Sequence, residues 1–156
     1  MTQLLTSDYA HSVIQLITGS SISIDVLAYI VNCNLYKKSD KMNLIFLELK
    51  YFLARGGKVR FVLDYPRPHK PNYHPLKFFT RRFKEAGFFT RYLHSGTTQH
   101  AKLLLFDNKT AVLGSHNLAT KSVINVHDLS VIIEDAALVT WLRDYFDNVW
   151  SKSVEA

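Results

Sequence analysis

The chain has 156 residues, of which 47% are hydrophobic, 13% aromatic and 21% charged, with a formal net charge of +6. This length fits one domain that buries about two-thirds of its unfolded surface around a single core, and the composition excludes disordered and fibrous classes. A single cysteine, Cys33, excludes an intramolecular disulfide and a cysteine-based metal cluster; a reducing compartment and a small buried apolar role for the thiol are expected.

The opening MTQLLTSDYAHSV has no cationic region ahead of a long apolar core, and no run reaches the roughly 18 apolar residues of a membrane span. The expectation is a soluble, cytoplasmic, single domain over residues 1–156. From Ser7 to Thr18, Ala10, Val13, Ile14 and Ile17 recur at helical spacing behind Ser7 as N-cap, and Gly19 ends the helix. SISIDVLAY, residues 21–29, alternates as a strand with one face in the core, which leaves Asp25 facing solvent, bonded locally or aimed at a polar site. Residues 32–41 read as a polar loop. Met42 to Ala54 reads as a heavily buried helix stopped by Arg55, Gly56 and Gly57.

The strand KVRFVLD, residues 58–64, follows directly. Pro66, Pro68, Pro71 and Pro75 each remove a backbone donor and predict an irregular loop, then a helix over Leu76–Ala86 ended by Gly87, and a strand over Phe89–Leu93. Lys102–Phe106 and Ala111–Leu113 read as strands joined by the turn Asp107-Asn108-Lys109, and Val131–Ile133 as another. The closing helix, Ala136–Trp150, carries Leu138, Trp141, Leu142, Tyr145, Val149 and Trp150 on a broad face expected to pack on the sheet. Strands alternating with helices call for an α/β layered domain.

The charge is concentrated. Arg67, Lys70, Lys77, Arg81, Arg82, Lys84 and Arg91 face one acid, Glu85, so seven minus one puts the whole +6 in this segment. Interleaved with Phe78, Phe79, Phe83, Phe88, Phe89 and Tyr92, these residues read as a nucleic-acid-binding face, or as a solvated helix whose phenylalanines are core.

HAKLLLFDNKTAVLGSHN, residues 100–117, places polar groups at both ends of an apolar hairpin. His100 and Lys102 are two apart, so on a strand they share a side. An antiparallel partner ending at Gly114 returns Ser115 and Asn117 to the same place. A neutral imidazole, an ammonium, a hydroxyl and an amide together suit phosphoryl transfer: the nitrogen attacks phosphorus while the donors stabilise the non-bridging oxygens.

His100-x-Lys102, four residues, Asp107, six residues and Gly114-Ser115-x-Asn117 resemble the HKD signature of the phospholipase D superfamily. The resemblance implies a phospholipase D-like α/β/α sandwich with a mixed central sheet flanked by helices, and two-step hydrolysis through a phosphohistidine with no metal or cofactor. His100 would be nucleophile or general acid. Lys102 and Asn117 would bind phosphoryl oxygens with Ser115 beside them, while Asp107 and Gly114 have structural roles. Because the family uses two motifs per site and this chain has one, the resemblance implies a homodimer with His100 from both copies at its centre.

The family commonly has Asn-x-Glu after the signature; the corresponding stretch here is Asn125-Val126-His127-Asp128. His127 occupies the Glu position, and Asp128 on a strand would face away from it. His127, Asp128 and His116 are therefore the candidate orienting groups, whereas His11, His69, His74 and His94 form no constellation. Three functions follow: a nucleic-acid phosphodiesterase of low sequence specificity, a lipid hydrolase acting on anionic membranes, and a nucleic-acid-binding module with impaired catalysis.

Overall fold

The structure, a computed structural model, describes residues 2–94, 96–124 and 127–156. In chain order the elements are β1 (Thr2–Leu5), α1 (Tyr9–Gly19), β2 (Ser23–Ala28), β3 (Val31–Asn32), α2 (Lys41–Ala54), β4 (Lys58–Asp64), α3 (Tyr73–Ala86) and β5 (Phe89–Leu93). There follow β6 (Leu103–Phe106), β7 (Thr110–Gly114), β8 (Leu118–Ala119), α4 (Thr120–Ile124), β9 (Ser130–Ile133), α5 (Ala136–Ser151) and β10 (Val154–Glu155).

Among the described residues, eight strands form one mixed sheet in the order β1-β9-β7-β6-β2-β4-β5-β10, and β3 pairs with β8 beside it. Strands β2, β4 and β5 run parallel, while β6, β7, β9 and β1 continue antiparallel from β2. The run LLLF of β6 is buried at every position because helices cover both faces of the sheet. Leu104 and Phe106 join the core under α1, α2 and α3; Leu103 and Leu105 join the core under α5. Each such side chain contributes about 1.5–3 kcal/mol of burial. The result is the α/β/α sandwich with a mixed central sheet.

Several boundaries and faces differ from expectation. Helix α1 starts at Tyr9 with Asp8, not Ser7, at its N-cap. Strand β2 is central and covered on both sides, so Asp25 does not face solvent: it is 2% exposed and receives Arg60 Nε and Nη2 at 2.6 and 2.8 Å. The guanidinium supplies the pairing a buried carboxylate needs and itself lies 4.8 Å from the Phe146 ring. Helix α2 buries Met42, Ile45, Phe46, Leu49 and Phe52 but exposes Leu44, Leu47 and Tyr51. Pro75 lies in the first turn of α3, where a missing N–H leaves no helical hydrogen bond unmade.

The closing helix is rotated from the expected face. Val139, Leu142, Phe146 and Val149 are its buried residues, whereas Leu138, Trp141 and Tyr145 are exposed. Two apolar stripes overlap on this helix, and periodicity alone cannot say which one meets the sheet. The short strands β1, β3, β8 and β10 carry too few residues for a pattern to register.

Candidate active site

The antiparallel pairing of β6 with β2 sets Leu103 opposite Leu27, which brings the segment before β6 to the carboxyl end of β2. The pairing of β6 with β7 sets Leu103 opposite Leu113, and the Gly114 N–H donates to the Lys102 carbonyl at 3.3 Å. The two ends of the hairpin therefore meet where the parallel strand β2 stops.

At that place Lys102 Nζ lies 3.1 Å from Nδ1 and 3.2 Å from Nε2 of His100 and donates to the His100 carbonyl at 2.8 Å. The imidazole is exposed, and Lys102 is partly buried. Burial holds the Lys102 ammonium below the usual lysine range, opposed by the negative charge of Asp128. Tyr29, just beyond β2, packs its ring 4.5 Å from that of His100 and 5.3 Å from Lys102 Nζ. Tyr29 escapes a sequence reading because an aromatic ending an apolar strand looks like core; its place at the end of a central strand is the signal.

Asn117 turns its Oδ1 to accept the Ile30 N–H at 3.2 Å, and its own N–H donates to Ser122 Oγ at 3.1 Å. With Oδ1 so engaged, Nδ2 is the group of this side chain left to donate. Pairing of β3 with β8, Val31 opposite Leu118, sets that distance. Ser115 donates its hydroxyl to Asp128 Oδ1 at 2.7 Å and accepts the Leu129 N–H at 3.0 Å. Gly114 lies so close to β9 that a Cβ there would collide with Ser130 Oγ and the Leu129 carbonyl.

The stretch expected to orient the imidazole differs from the strand expectation. Strand β9 begins only at Ser130, so alternation does not govern residues 127 to 129, and Asp128 reaches Ser115 directly. His127 is exposed and lines a cavity of about 400 Å³ with Thr6, Ser7 and Ser122. Asn125 and Val126 lie outside the described residues. His116 faces inward: it is 3% exposed, stacks on Tyr9 at 4.1 Å, and its Nδ1 lies 2.8 Å from Ser130 Oγ. Burial depresses its basicity. These contacts tie the segment after β7 to α1 and β9.

Asp107 is far from this cluster. At φ +53° in the hairpin turn, it accepts the N–H groups of Ser21, Ile22 and Ser23 at 2.8–2.9 Å. Burial pushes its carboxyl up, but these three bonds and the charge of Lys109 outweigh it and hold the carboxyl below the usual range.

The basic segment divides. Lys77, Arg81, Arg82 and Lys84 are exposed on α3, with Lys70 exposed just before it. Arg81 and Arg82 both pair with Glu85, at 2.9 and 3.2 Å, and Lys84 donates to the Ala156 carbonyl. Arg91 lies across the sheet from α3: it stacks on Trp150 at 4.4 Å and donates to the Trp150 carbonyl. Strand alternation separates it from Tyr92, whose hydroxyl meets Thr80 of α3 at 2.7 Å. Arg67 is turned inward onto Asp64 and the Thr97 carbonyl. Phe79, Phe83 and Phe88 are core, while Phe78 and Phe89 are exposed.

The family described as "Cardiolipin synthase, PLD-like domain" matches residues 13–150. The chain belongs to the phospholipase D superfamily. Within that superfamily its fold is similar to Nuc from Salmonella typhimurium, with a TM-score of 0.81 and 19% identity over 100% of this chain and 97% of that one. It is similar to NucT from Helicobacter pylori at a TM-score of 0.76 and 16% identity, over 100% of this chain and 99% of that one. The archaeal chromatin protein TrmBL2 matches at 0.61 and 15% identity, over 99% of this chain and 54% of its own. Curated protein sequences supply no match. Membership of the phospholipase D superfamily supports phosphodiesterase chemistry.

Proposed function

We propose that this chain is a metal-independent phosphodiesterase that cleaves nucleic acid with little sequence preference, through a phosphohistidine on His100 at a site completed by a second copy. The observation that carries the reading is the exposed His100 ring held beside the Lys102 ammonium, 3.1 and 3.2 Å from its two nitrogens. A neutral ring nitrogen attacks phosphorus while Lys102 and the anchored amide of Asn117 donate to the non-bridging oxygens, which carry the charge that grows in the transition state.

As the nitrogen–phosphorus bond forms, the bond to the leaving oxygen breaks, and that oxygen takes a proton from the imidazolium of the partner subunit's His100. The now neutral partner ring then accepts a proton from water as the water oxygen attacks phosphorus and the nitrogen–phosphorus bond breaks. One ring must start neutral and the other charged, which two coupled identical groups achieve by sharing a proton. A single chain carries one such ring, so the reaction calls for a two-fold pair. The exposed stripe Leu138, Trp141 and Tyr145 supports pairing, because a helix face of this apolar character is suited to burial.

Nucleic acid as substrate is supported by the cations of α3 and Lys70, by likeness to Nuc and NucT over nearly their whole lengths, and by the DNA binding described for TrmBL2. Plasmid DNA and single-stranded RNA incubated with the chain in EDTA test the reading. Cleavage is expected, with loss of it in His100→Ala. Turnover of phospholipid vesicles without cleavage of either nucleic acid would move the substrate to lipid. Salt-sensitive DNA binding with no turnover of any phosphodiester would leave a binding module.

A further inference from the structure

His100 lies in a stretch outside any strand or helix, so no ladder of main-chain hydrogen bonds sets its backbone. The neighbouring Gln99 performs that task. It is 3% exposed, and its N–H donates to Asp64 Oδ1 at 2.9 Å. Its side-chain Nε2 donates to the Ala101 carbonyl at 3.0 Å, while Oε1 accepts the Ala101 N–H, also at 3.0 Å. One amide thus reaches past His100 and closes both hydrogen bonds on the residue beyond it.

The anchor behind this clamp is equally fixed. Asp64, 1% exposed, ends the central strand β4 and also receives Arg67, whose second nitrogen holds the Thr97 carbonyl at 3.0 Å. Thr97, Gln99 and Ala101 are therefore tied to one another or to the end of β4, while the ring of His100 between them remains exposed. A buried side chain with both polar ends committed to the backbone flanking a reactive group determines where that group points.

We propose that Gln99 is a positioning residue for the nucleophile. This deepens and rests on the phosphohistidine reading: the clamp keeps the imidazole in line with phosphorus and within reach of Lys102, and its loss misplaces the ring without removing any group that touches substrate. A misplacement near 1 Å costs on the order of 10²-fold in rate, and the cost falls on kcat, since binding of the phosphodiester by other residues is untouched.

The test uses the full chain with bis(4-nitrophenyl) phosphate, a phosphodiester whose leaving group needs no proton, so that turnover reports the making and breaking of the bond between His100 and phosphorus rather than protonation of the leaving group. Gln99→Met keeps the length and removes both hydrogen bonds; Gln99→Glu keeps the acceptor for the Ala101 N–H and removes the donor. Per folded molecule, Gln99→Met is expected to lower kcat about 10²-fold with KM held within roughly threefold, and Gln99→Glu to fall between it and the parent. The His100 ring-proton resonance is expected to shift or broaden in both variants.

A kcat within roughly twofold of the parent, or a raised KM at unchanged kcat, would overturn the proposal. Should Gln99→Met not fold, Gln99→Glu decides by the same criteria. His100→Ala run alongside separates the two levels. If it retains turnover, the phosphohistidine reading fails whatever Gln99 does; if it is inactive while both Gln99 variants turn over at the parent rate, only the positioning role fails.

Discussion

Ser115 and Asp128 are joined hydroxyl to carboxylate at 2.7 Å, and the same hydroxyl accepts the Leu129 N–H at 3.0 Å. The contact ties the end of β7 to the segment that enters β9, beside Lys102, on whose ammonium the Asp128 charge acts. A carboxylate here steadies the Lys102 charge and the segment that carries Asn117.

Asp128→Asn retains an acceptor for Ser115 and loses the charge; Asp128→Ala loses both. Rate constants for phosphodiester hydrolysis are expected to fall in the order parent, Asp128→Asn, Asp128→Ala, with the last lower than the parent by on the order of 10²-fold. Steady-state kinetics on the three proteins check the order, and equal rates would remove Asp128 from the site.

Asn117 is anchored through Oδ1 on the Ile30 N–H, which leaves Nδ2 as the donor that the proposed reaction uses. Asn117→Asp preserves the anchor and replaces the donor with a repelling carboxylate. It is expected to keep the fold and lose about 10²–10³-fold in kcat, the usual cost of one oxyanion donor. Circular dichroism and single-turnover rates together decide this.

Asp107 holds three successive backbone N–H groups of the segment entering β2. Its carboxyl lies below the usual aspartate range in the folded chain, so the unfolded chain takes up the proton first as pH falls. The stabilisation is complete above the ordinary aspartate value and is lost as pH drops through the lower folded value. Asp107→Asn is expected to cost about 1–2 kcal/mol at neutral pH, with the difference from the parent shrinking in acid. Urea denaturation at a series of pH values measures it, and a gap that widens in acid would contradict the sign.

These contacts mark what a sequence can and cannot reveal. The hairpin of β6 and β7 is legible because two apolar runs flank a turn, whereas the i, i+2 argument for His100 and Lys102 assumes a strand that begins only at Leu103; the two meet instead through Lys102 Nζ on the ring and carbonyl of His100. KVRFVLD spans β4 because a β-rich run between Gly57 and a proline-rich loop has little freedom. The partner of Asp25 was not legible, since Arg60 is 35 residues away and only strand register brings them side by side. Arg91 belongs to the basic run of the sequence, but alternation along β5 turns it across the sheet from α3 and onto Trp150. Strand alternation would turn Asp128 to the wrong face, but β9 begins only at Ser130, so the residue precedes the strand and reaches Ser115. Each of these depends on where an element starts or which way it is turned, which tertiary packing decides.

The exposed stripe of α5 yields a further outcome. Leu138, Trp141 and Tyr145 are 42, 63 and 42% exposed, and the two rings stack at 6.1 Å. Trp141→Glu is expected to convert a dimer to monomer in sedimentation equilibrium and to abolish turnover along with it, while the monomer keeps its helical content. A monomeric variant with full activity would show that one chain suffices.

The proposed chemistry requires a covalent bond between phosphorus and the ring of His100. Rapid acid-free quenching of the chain with a phosphodiester substrate in EDTA, followed by peptide mass analysis, measures it directly. A phosphoryl adduct on the peptide containing His100, absent in His100→Ala and decaying at the rate of product release, is the predicted result. Turnover at full rate with no adduct on that peptide at any time, or in the alanine variant, would contradict it.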